Sequence, residues 1–207
     1  MYPVAVSDPM SDSESGDPAA DTERETGVVL DYLPHGRTED DRPQYEKSPL
    51  AYVLTESDFE LFELRIDDDA GVQIGDRVPV ERGDDSPVER IRRIEYEDLP
   101  SGARSELEYV VEEIVTTNEQ RFVDFYNDAQ PITLRLHQLN LLPGIGKKLR
   151  NNILDERDRR PFQNFEDLEA RVNGLHNPRE VLVERVLEEM REDDLKYRTF
   201  VGADDQD

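Results

Sequence analysis

The sequence predicts an α+β fold, in which a small β-barrel precedes an all-α domain, and three observations support it. Between residues 27 and 97, short apolar runs alternate with turn residues, which is typical of strands. Beyond residue 98, apolar residues recur every three or four positions, as on one face of a helix. At 207 residues, the chain is long enough to bury both cores.

The composition excludes several classes of function. The chain has no cysteine, which excludes disulfides, zinc fingers, iron–sulfur ligation and thiolate catalysis. No stretch approaches the roughly 18 consecutive apolar residues of a membrane span, and the N-terminus lacks the charged and apolar regions of a secretory signal. These features predict a cytoplasmic protein.

The charge has two interpretations. The net charge is −25, which normally repels phosphate, and only four of the 25 basic residues are lysine. Acid-rich, lysine-poor chains are typical of salt-accumulating halophiles, and in this respect the chain resembles a haloarchaeal protein. In about 1 M salt the Debye length falls to about 3 Å, so that a diffuse acidic surface no longer repels a distant phosphate. The alternative is a mesophilic acidic regulator.

The composition along the chain predicts five segments. Residues 1–26 hold seven acidic residues and one basic residue, Arg24. Such a segment buries too little apolar surface to offset its ordering entropy, which predicts a disordered acidic tail. A β-barrel at 27–97, connecting helices at 98–128, an all-α domain at 129–192 and a C-terminal tail at 193–207 follow.

Five strand-like runs predict the barrel. They lie at residues 28–33, 50–54, 59–66, 75–80 and 88–96, and turn residues such as Pro34-His35-Gly36 separate them. Five short strands at this spacing favour a small closed barrel. Residues 72–78 resemble the turn into the third strand of OB-fold barrels, where Gly75 permits the bend. The barrel is therefore predicted to be OB-like.

Two groups of barrel residues have alternative roles. The first group is Arg90, Arg92 and Arg93. These arginines could form a second nucleic-acid surface, or they could neutralise Glu89, Glu95 and Glu97. The second group is the aromatic residues Tyr32, Tyr52, Phe59 and Phe62. They could stack on bases, or they could pack in the core. The sequence favours neutralisation and packing, respectively.

Two helices are predicted to connect the barrel to the all-α domain. The first carries an apolar stripe at helical spacing, formed by Leu107, Val110, Val111, Ile114 and Val115. The second runs over residues 118–127. Neither contains a motif with a recognisable chemistry, so packing is the predicted role of both.

The most specific motif is Leu142-Pro143-Gly144-Ile145-Gly146. A helix-hairpin-helix consists of an apolar helix, a tight hairpin of this composition and a second helix that begins at the last glycine. The apolar face of the first helix is formed by Leu136, Leu139 and Leu142. The second helix begins with residues 147–154. The alternative is a generic linker between two helices.

The chemistry expected of this hairpin is phosphate binding. Gly144 and Gly146 present no side chain, so that the N–H groups of Gly144, Ile145 and Gly146 are expected to reach one phosphate at the start of the second helix. Ile145 is expected to insert into the core. Lys147 and Lys148 occupy the first turn, where the helix dipole disfavours cations unless an anion binds beside them.

The local charge agrees with this expectation. Residues 129–154 contain Arg135, Lys147, Lys148 and Arg150 but no acidic residue, in a chain with twice as many acids as bases. The predicted nucleic-acid-binding residues are Leu142, Pro143, Gly144, Ile145, Gly146, Lys147, Lys148 and Arg150.

A second, degenerate unit follows. Asn164 is expected to cap a helix with Asp167 at its third position, and Asn177-Pro178 to begin the last helix. The hairpin between them, Asn173-Gly174-Leu175, lacks the proline and the second glycine. It is therefore predicted to complete a four-helix core rather than to bind phosphate.

Over residues 27–201 the chain resembles the archaeal DUF655 family, on the stretches 28–36, 139–148 and 195–200. The resemblance implies an OB-like barrel with a C-terminal helix-hairpin-helix domain, and no established activity. It also implies a monovalent cation, K⁺ or Na⁺, held by hairpin carbonyls.

The function expected from the sequence is non-enzymatic nucleic-acid binding. The sequence contains no Walker or GxGxxG motif, and its three histidines lack metal-ligand spacing. RNA is favoured over DNA because OB-like barrels commonly handle single strands or structured RNA. The alternatives are a protein-interaction module, and a nuclease or repair factor.

Overall fold

The computed structural model describes residues 25–37, 43, 47–67, 69–82 and 86–202. The predicted acidic tail lies outside the described residues, apart from Glu25 and Thr26. The five strands are β1 (Thr26–Leu33), β2 (Leu50–Thr55), β3 (Leu61–Ile66), β4 (Arg77–Pro79) and β5 (Val88–Ile94). The five α-helices are α1 (Ser101–Thr117), α2 (Glu119–Asp128), α3 (Lys147–Arg159), α4 (Phe165–Arg171) and α5 (Pro178–Arg191). The predicted α+β class is confirmed.

The strands form one antiparallel sheet in the order β4-β1-β2-β3-β5. The register shifts between Val29 and Asp31 in β1 and between Arg65 and Ile66 in β3. Such bulges bend strands and increase their twist. Within the described residues β4 and β5 are the sheet's two edges, so the predicted closed barrel is a half-barrel.

The sheet has an apolar cluster on each face. One cluster is formed within the half-barrel, by residues such as Val29, Val53 and Leu64. The other joins Val28 and Leu54 to buried residues of α1, α2 and α5 and of the segment that follows α5. Because one continuous cluster includes strand and helix residues, the sheet and the helices are packed as one body.

The predicted first helix of the hairpin is not an α-helix, which corrects the sequence analysis. The segment contains a short 3₁₀ helix, Gln138–Leu141, in which Leu139 is buried. Leu142 is extended, with φ −74° and ψ 135°. A residue before proline is disfavoured in the α conformation, so Pro143 keeps Leu142 extended and the 3₁₀ helix ends at Leu141. Leu136 lies outside the helix, half-buried.

Residues 193–202, which the sequence assigns to a C-terminal tail, fold back against α5. Phe200 and Val201 are buried, and the Phe200 ring centroid lies 5.0 Å from that of Phe125. The fully buried Glu189 carboxylate accepts N–H groups of Thr199, Phe200 and Val201 at 2.8–3.1 Å. The tail is thus part of the folded body, because a buried carboxylate binds its backbone.

Among the helices of the described residues, none combines the length and the apolar composition that a membrane span needs.

Candidate functional site

The hairpin before α3 combines one buried residue with two exposed glycines. Gly144 adopts φ +76°, a left-handed conformation that favours glycine. Ile145 is only 4% exposed, as expected for the residue that inserts into the core. Its N–H donates to the Leu142 carbonyl at 3.2 Å, and the Gly146 N–H donates to the Gly144 carbonyl at 3.2 Å. The turn is therefore closed by its own backbone.

The first turn of α3 leaves three backbone donors without an acceptor. Gly146 is the N-cap residue, and its carbonyl accepts the Arg150 N–H at 2.9 Å. No side chain caps the helix, and the N–H groups of Lys147, Lys148 and Leu149 have no partner among the described residues. These are the orphan donors that every helix N-terminus must satisfy from outside.

The available donors differ from those expected from sequence. The N–H groups of Ile145 and Gly146 are used within the turn, whereas the Gly144 N–H has no hydrogen bond to the described residues. The free donors are therefore those of Gly144, Lys147, Lys148 and Leu149. The turn and the start of α3 lie where the sequence predicts them, but the hydrogen bonds inside the turn depend on its three-dimensional conformation.

Among the five α-helices of the described residues, α3 is the one with no carboxylate in or beside its first turn. Acidic residues occupy the first turns of α2, α4 and α5: Glu119, Glu166, Asp167 and Glu180. In α1, the Asp31 carboxylate lies so close to Gly102 that a Cβ atom there would meet Oδ2 at 2.5 Å. Because carboxylates complement the positive end of the helix dipole, only α3 among these five helices offers that end to an external anion.

The first turn of α3 carries two lysines. Lys147 and Lys148 are exposed and have no acidic partner within the described ranges. Burial, followed by the charges of Arg157 and Arg150, lowers the pKa of His137. A lowered histidine pKa is the response expected of a positive environment. The charges of Arg157 and Arg150 therefore act on His137 in the same direction as its burial.

Arg150 is held within the hairpin rather than left free for a ligand. Its Nη1 donates to Asn140 Oδ1 at 3.1 Å, and its Nε and Nη2 donate to Asn151 Oδ1. Asn140 in turn donates to the Ile145 carbonyl at 2.9 Å. Of the five N–H donors of the guanidinium, two remain. Arg150 therefore positions the turn and has limited capacity for phosphate.

A concavity of about 400 Å³ connects the two hairpins. Its lining contains no acidic residue and consists of Gly144, Gly146, Lys148, Leu149, Asn152, Asn173 and Gly174. Asn152 Nδ2 donates to the Asn173 carbonyl at 3.2 Å across the two units. Leu175 is buried, as expected for a core role, but Gly174 at φ +94° forms a wall of the groove.

Sequence reasoning missed the asparagines of this site, Asn140, Asn152 and Asn173. One signal was present: Asn151 and Asn152 stand in consecutive positions of α3, although asparagine is a poor helix former. Their side chains are used for contacts to Arg150 and to the second hairpin. An unfavourable residue within a helix was therefore a sequence signal for a side chain with a specific contact.

Two of the three arginines of β5 already have acidic partners at or just before β3. Arg92 pairs with Glu63 at 3.1 Å, and Arg93 pairs with Glu60, whereas the sequence suggested Glu89, Glu95 and Glu97 as partners. Burial alone would raise the pKa of Glu63, but hydrogen bonds from Arg92 and Arg37 outweigh it and lower the pKa. Arg90 is exposed. This surface offers much less unpaired positive charge than the hairpin.

The barrel aromatics lie in the packed regions of the sheet. Tyr52 and Phe59 are buried, and Tyr32 and Phe62 are half-buried against the inner cluster of the half-barrel. Tyr52 also donates its hydroxyl to Glu63 at 3.1 Å. Their positions agree with the packing interpretation.

The hairpin carbonyls are compatible with the monovalent cation that the family resemblance implies. The carbonyls of Leu142, Gly144 and Ile145 each accept one hydrogen bond from the chain. Each carbonyl oxygen has two lone pairs, so each retains one for a cation. By contrast, the described ranges contain no group of three or more His, Asp or Glu side chains that could hold a metal ion.

Comparison with known proteins gives three findings. A family model described as "Protein of unknown function (DUF655)" matches residues 23–202. The uncharacterized protein MJ0038 of Methanocaldococcus jannaschii is 40% identical over 175 residues, which is 84% of this chain and 77% of that protein. The crystal structure of Af1531 from Archaeoglobus fulgidus is similar with a TM-score of 0.78 and 41% identity, over 85% of this chain and 98% of that chain. The matched range includes both hairpins.

Proposed function

The chain belongs to the DUF655 family, and from that premise and the hairpin geometry we propose that it is a non-enzymatic protein that binds the phosphate backbone of nucleic acid, with RNA favoured over DNA. The observation that carries the proposal is the N-terminus of α3. It combines unpaired backbone donors, two exposed lysines and no carboxylate, in a chain of net charge −25. Backbone N–H groups at a helix N-terminus are a suitable site for a phosphate oxygen.

The donors also imply that the chain does not read base sequence. Main-chain N–H groups and lysines that contact phosphate fix position and orientation, but they carry no sequence information. The groove between the hairpins allows the strand to continue from Gly144 toward Gly174. We therefore expect similar affinity for strands of different sequence.

The small number of cations favours binding that tolerates salt. Each phosphate neutralised by a lysine or arginine adds about 0.7 to 0.9 to the slope of log affinity against log salt concentration. The two free lysines of the hairpin contribute only about 1.5 to this slope, with the remaining affinity at the hairpin supplied by backbone hydrogen bonds. Such a site suits a chain whose acidic surface indicates a salt-rich cell.

The variant Gly146→Asp separates binding from stability. Gly146 has φ −78° and ψ 176°, which any residue adopts, and a Cβ atom there would meet nothing within 4 Å. Aspartate is a preferred N-cap, so its carboxylate is expected to accept the free N–H groups and to stabilise α3 by a few tenths of a kcal/mol. Because that carboxylate fills the phosphate position, affinity for a fluorescent RNA 20-mer, measured by anisotropy, should fall by about tenfold or more.

Two control variants make this test specific. Asn164→Asp adds the same charge at the N-cap of α4, where Asn164 already accepts the Asp167 N–H at 2.7 Å, and should leave affinity within about twofold. Gly146→Asn caps α3 without adding charge and should weaken binding less than Gly146→Asp. Unchanged RNA affinity in a folded Gly146→Asp chain would contradict the phosphate site.

DNA of the same sequence, titrated in parallel, tests the preference for RNA.

Protein docking is a second candidate because the helices form a groove away from the hairpin. This groove, of about 580 Å³, lies between α1, α4 and α5, with Phe165, Pro178 and Val183 among its lining. Six glutamates also line it, Glu108, Glu112, Glu119, Glu166, Glu169 and Glu180. Partners that remain bound to the chain after nuclease treatment of a lysate would favour docking over nucleic-acid binding.

The nuclease alternative requires metal-dependent cleavage of labelled RNA or DNA.

A further inference from the structure

Three large apolar side chains are exposed in the described chain, and one of them stands apart. Ile74 is 53% exposed, Tyr109 is 68% exposed and Leu134 is 107% exposed. Tyr109 has Glu106, Glu112 and Glu113 at neighbouring positions on the surface of α1. Leu134 is followed by Arg135 and lies in the window without acidic residues. Leu134 is therefore the exposed apolar residue that a polyanion can approach.

The loop that carries Leu134 is closed by hydrogen bonds. The N–H groups of Ile132 and Thr133 donate to the Leu136 carbonyl at 2.9 and 3.0 Å. Thr133 Oγ1 accepts the N–H groups of Arg135 and Leu136 at 3.3 and 3.1 Å. A loop with these internal bonds holds Leu134 away from the core, instead of allowing the side chain to fold onto it.

The base of this loop is attached to the last turn of α3 and to the 3₁₀ helix that precedes the hairpin. Gln138 N–H donates to the Gln130 carbonyl at 3.0 Å, and Arg157 of α3 donates to the Ala129 carbonyl at 2.9 Å. The 3₁₀ helix that follows carries Asn140, which binds the Ile145 carbonyl. The loop and the hairpin are therefore held in a fixed relation by α3 and the 3₁₀ helix.

We propose that Leu134 is an apolar wedge that contacts the bases of the nucleic acid whose phosphates the hairpin binds. This inference rests on the proposed function. Leucine is one of the apolar side chains that proteins of the DNA minor groove insert between base steps. Arg135 beside it, which has no acidic partner among the described residues, is available for a neighbouring phosphate. The charge of the loop favours this ligand over the apolar surface of a protein.

The test uses an RNA stem-loop that carries 2-aminopurine, a base analogue whose fluorescence reports stacking, at successive single positions. Binding is measured by anisotropy, and stacking by 2-aminopurine fluorescence, for the wild type, Leu134→Ser and Ile74→Ser. The wild type should change the fluorescence at one or two neighbouring positions, because a wedge perturbs one base step. Leu134→Ser should keep affinity within about threefold, because phosphate contacts supply most of it, but lose most of the fluorescence change.

The control variant and the outcomes separate this inference from the proposed function. Ile74→Ser removes an exposed aliphatic side chain of the same size that lies outside residues 129–154. It should behave like the wild type. Wild-type binding without a fluorescence change at any position, or an unchanged signal in Leu134→Ser, would overturn the wedge alone. If Leu134→Ser no longer binds a protein partner that the wild type keeps after nuclease treatment, and its RNA signal is unchanged, the loop contacts protein and not nucleic acid. Absence of wild-type RNA binding would overturn both proposals.

Discussion

The two glycines of the hairpin, Gly144 and Gly146, have different roles, although the sequence motif requires glycine at both positions. Both are exposed, and a Cβ atom at either position would meet nothing within 4 Å. Gly144 has φ +76°, which is strained for a side-chain-bearing residue, whereas Gly146 has φ −78°. Gly144 is therefore needed for the turn itself, and Gly146 for access to the start of α3.

The variants Gly144→Ala and Gly146→Ala should separate these tasks. Gly144→Ala should lower the free energy of unfolding by about 1 to 2 kcal/mol, the cost of a left-handed conformation for an L-residue. Gly146→Ala introduces no such strain and should change stability by less than about 0.5 kcal/mol. Urea unfolding of the two variants beside the wild type measures the difference. Equal losses of stability would contradict the distinction.

At the scale of elements, the segment before the hairpin is held by a side-chain cap rather than by an α-helix. His137, the N-cap residue of the 3₁₀ helix, is buried and accepts the Leu139 N–H at its Nδ1 atom, at 3.2 Å. An accepting ring nitrogen carries no proton, so the bond requires the neutral imidazole. Burial and the charges of Arg157 and Arg150 lower the pKa of His137 in the same direction.

This arrangement predicts a loss of stability in mild acid. Above the unfolded-state pKa of about 6.5, His137 is neutral in both states and the cap is intact. As the pH falls below that value, the unfolded chain takes up the proton first, and stability declines until the pH passes the lower folded-state pKa.

The variant His137→Asn tests this pH dependence, because asparagine caps a helix without titrating. Denaturant unfolding is measured between about pH 7 and pH 5, a range centred near the unfolded histidine pKa. The wild type should lose more stability than the variant over this range, while the shared carboxylates contribute equally to both. Identical pH profiles would show that His137 is not the titrating group.

At the scale of the whole molecule, the segment after α5 completes the core that the sheet and helices share. Phe200 packs against Phe122 and Phe125, and the Gly202 N–H donates to the Asp58 carbonyl at 3.0 Å. Glu189 binds this segment and pairs with the buried Arg185 at 2.8 Å, while Arg185 also donates to the Tyr197 carbonyl. One buried ion pair thus connects α5 to the end of the described chain.

The variant Glu189→Gln should destabilise the whole fold. Removal of one partner from a buried ion pair costs about 3 to 5 kcal/mol, because the other charge remains buried. Trypsin should also cleave faster at Lys196 and Arg198, since the segment loses its anchor. Glu188→Gln is the matched control, because Glu188 contacts the same arginine but is 40% exposed and should cost at most about 1 kcal/mol. Similar effects of the two variants would contradict the anchoring role.

The sequence by itself determined the features that depend on near neighbours. Apolar periodicity located the five strands of the described residues and the α-helices, but not the 3₁₀ helix before the hairpin. The Asn164 cap was correct, and the start of α3 followed from the hairpin motif. The absence of acid over residues 129–154 marked the candidate site. Each of these features arises from backbone preferences or from residues a few positions apart, so a linear pattern contains it.

Only the tertiary structure decided which distant residues meet. It left the half-barrel open within the described residues, paired Arg92 with Glu63, placed Gly174 across the groove from Gly144 and bound residues 199–201 to Glu189. It also decided which hairpin N–H groups are free. Such contacts depend on the packing of the whole chain, because a single local pattern is compatible with many long-range partners.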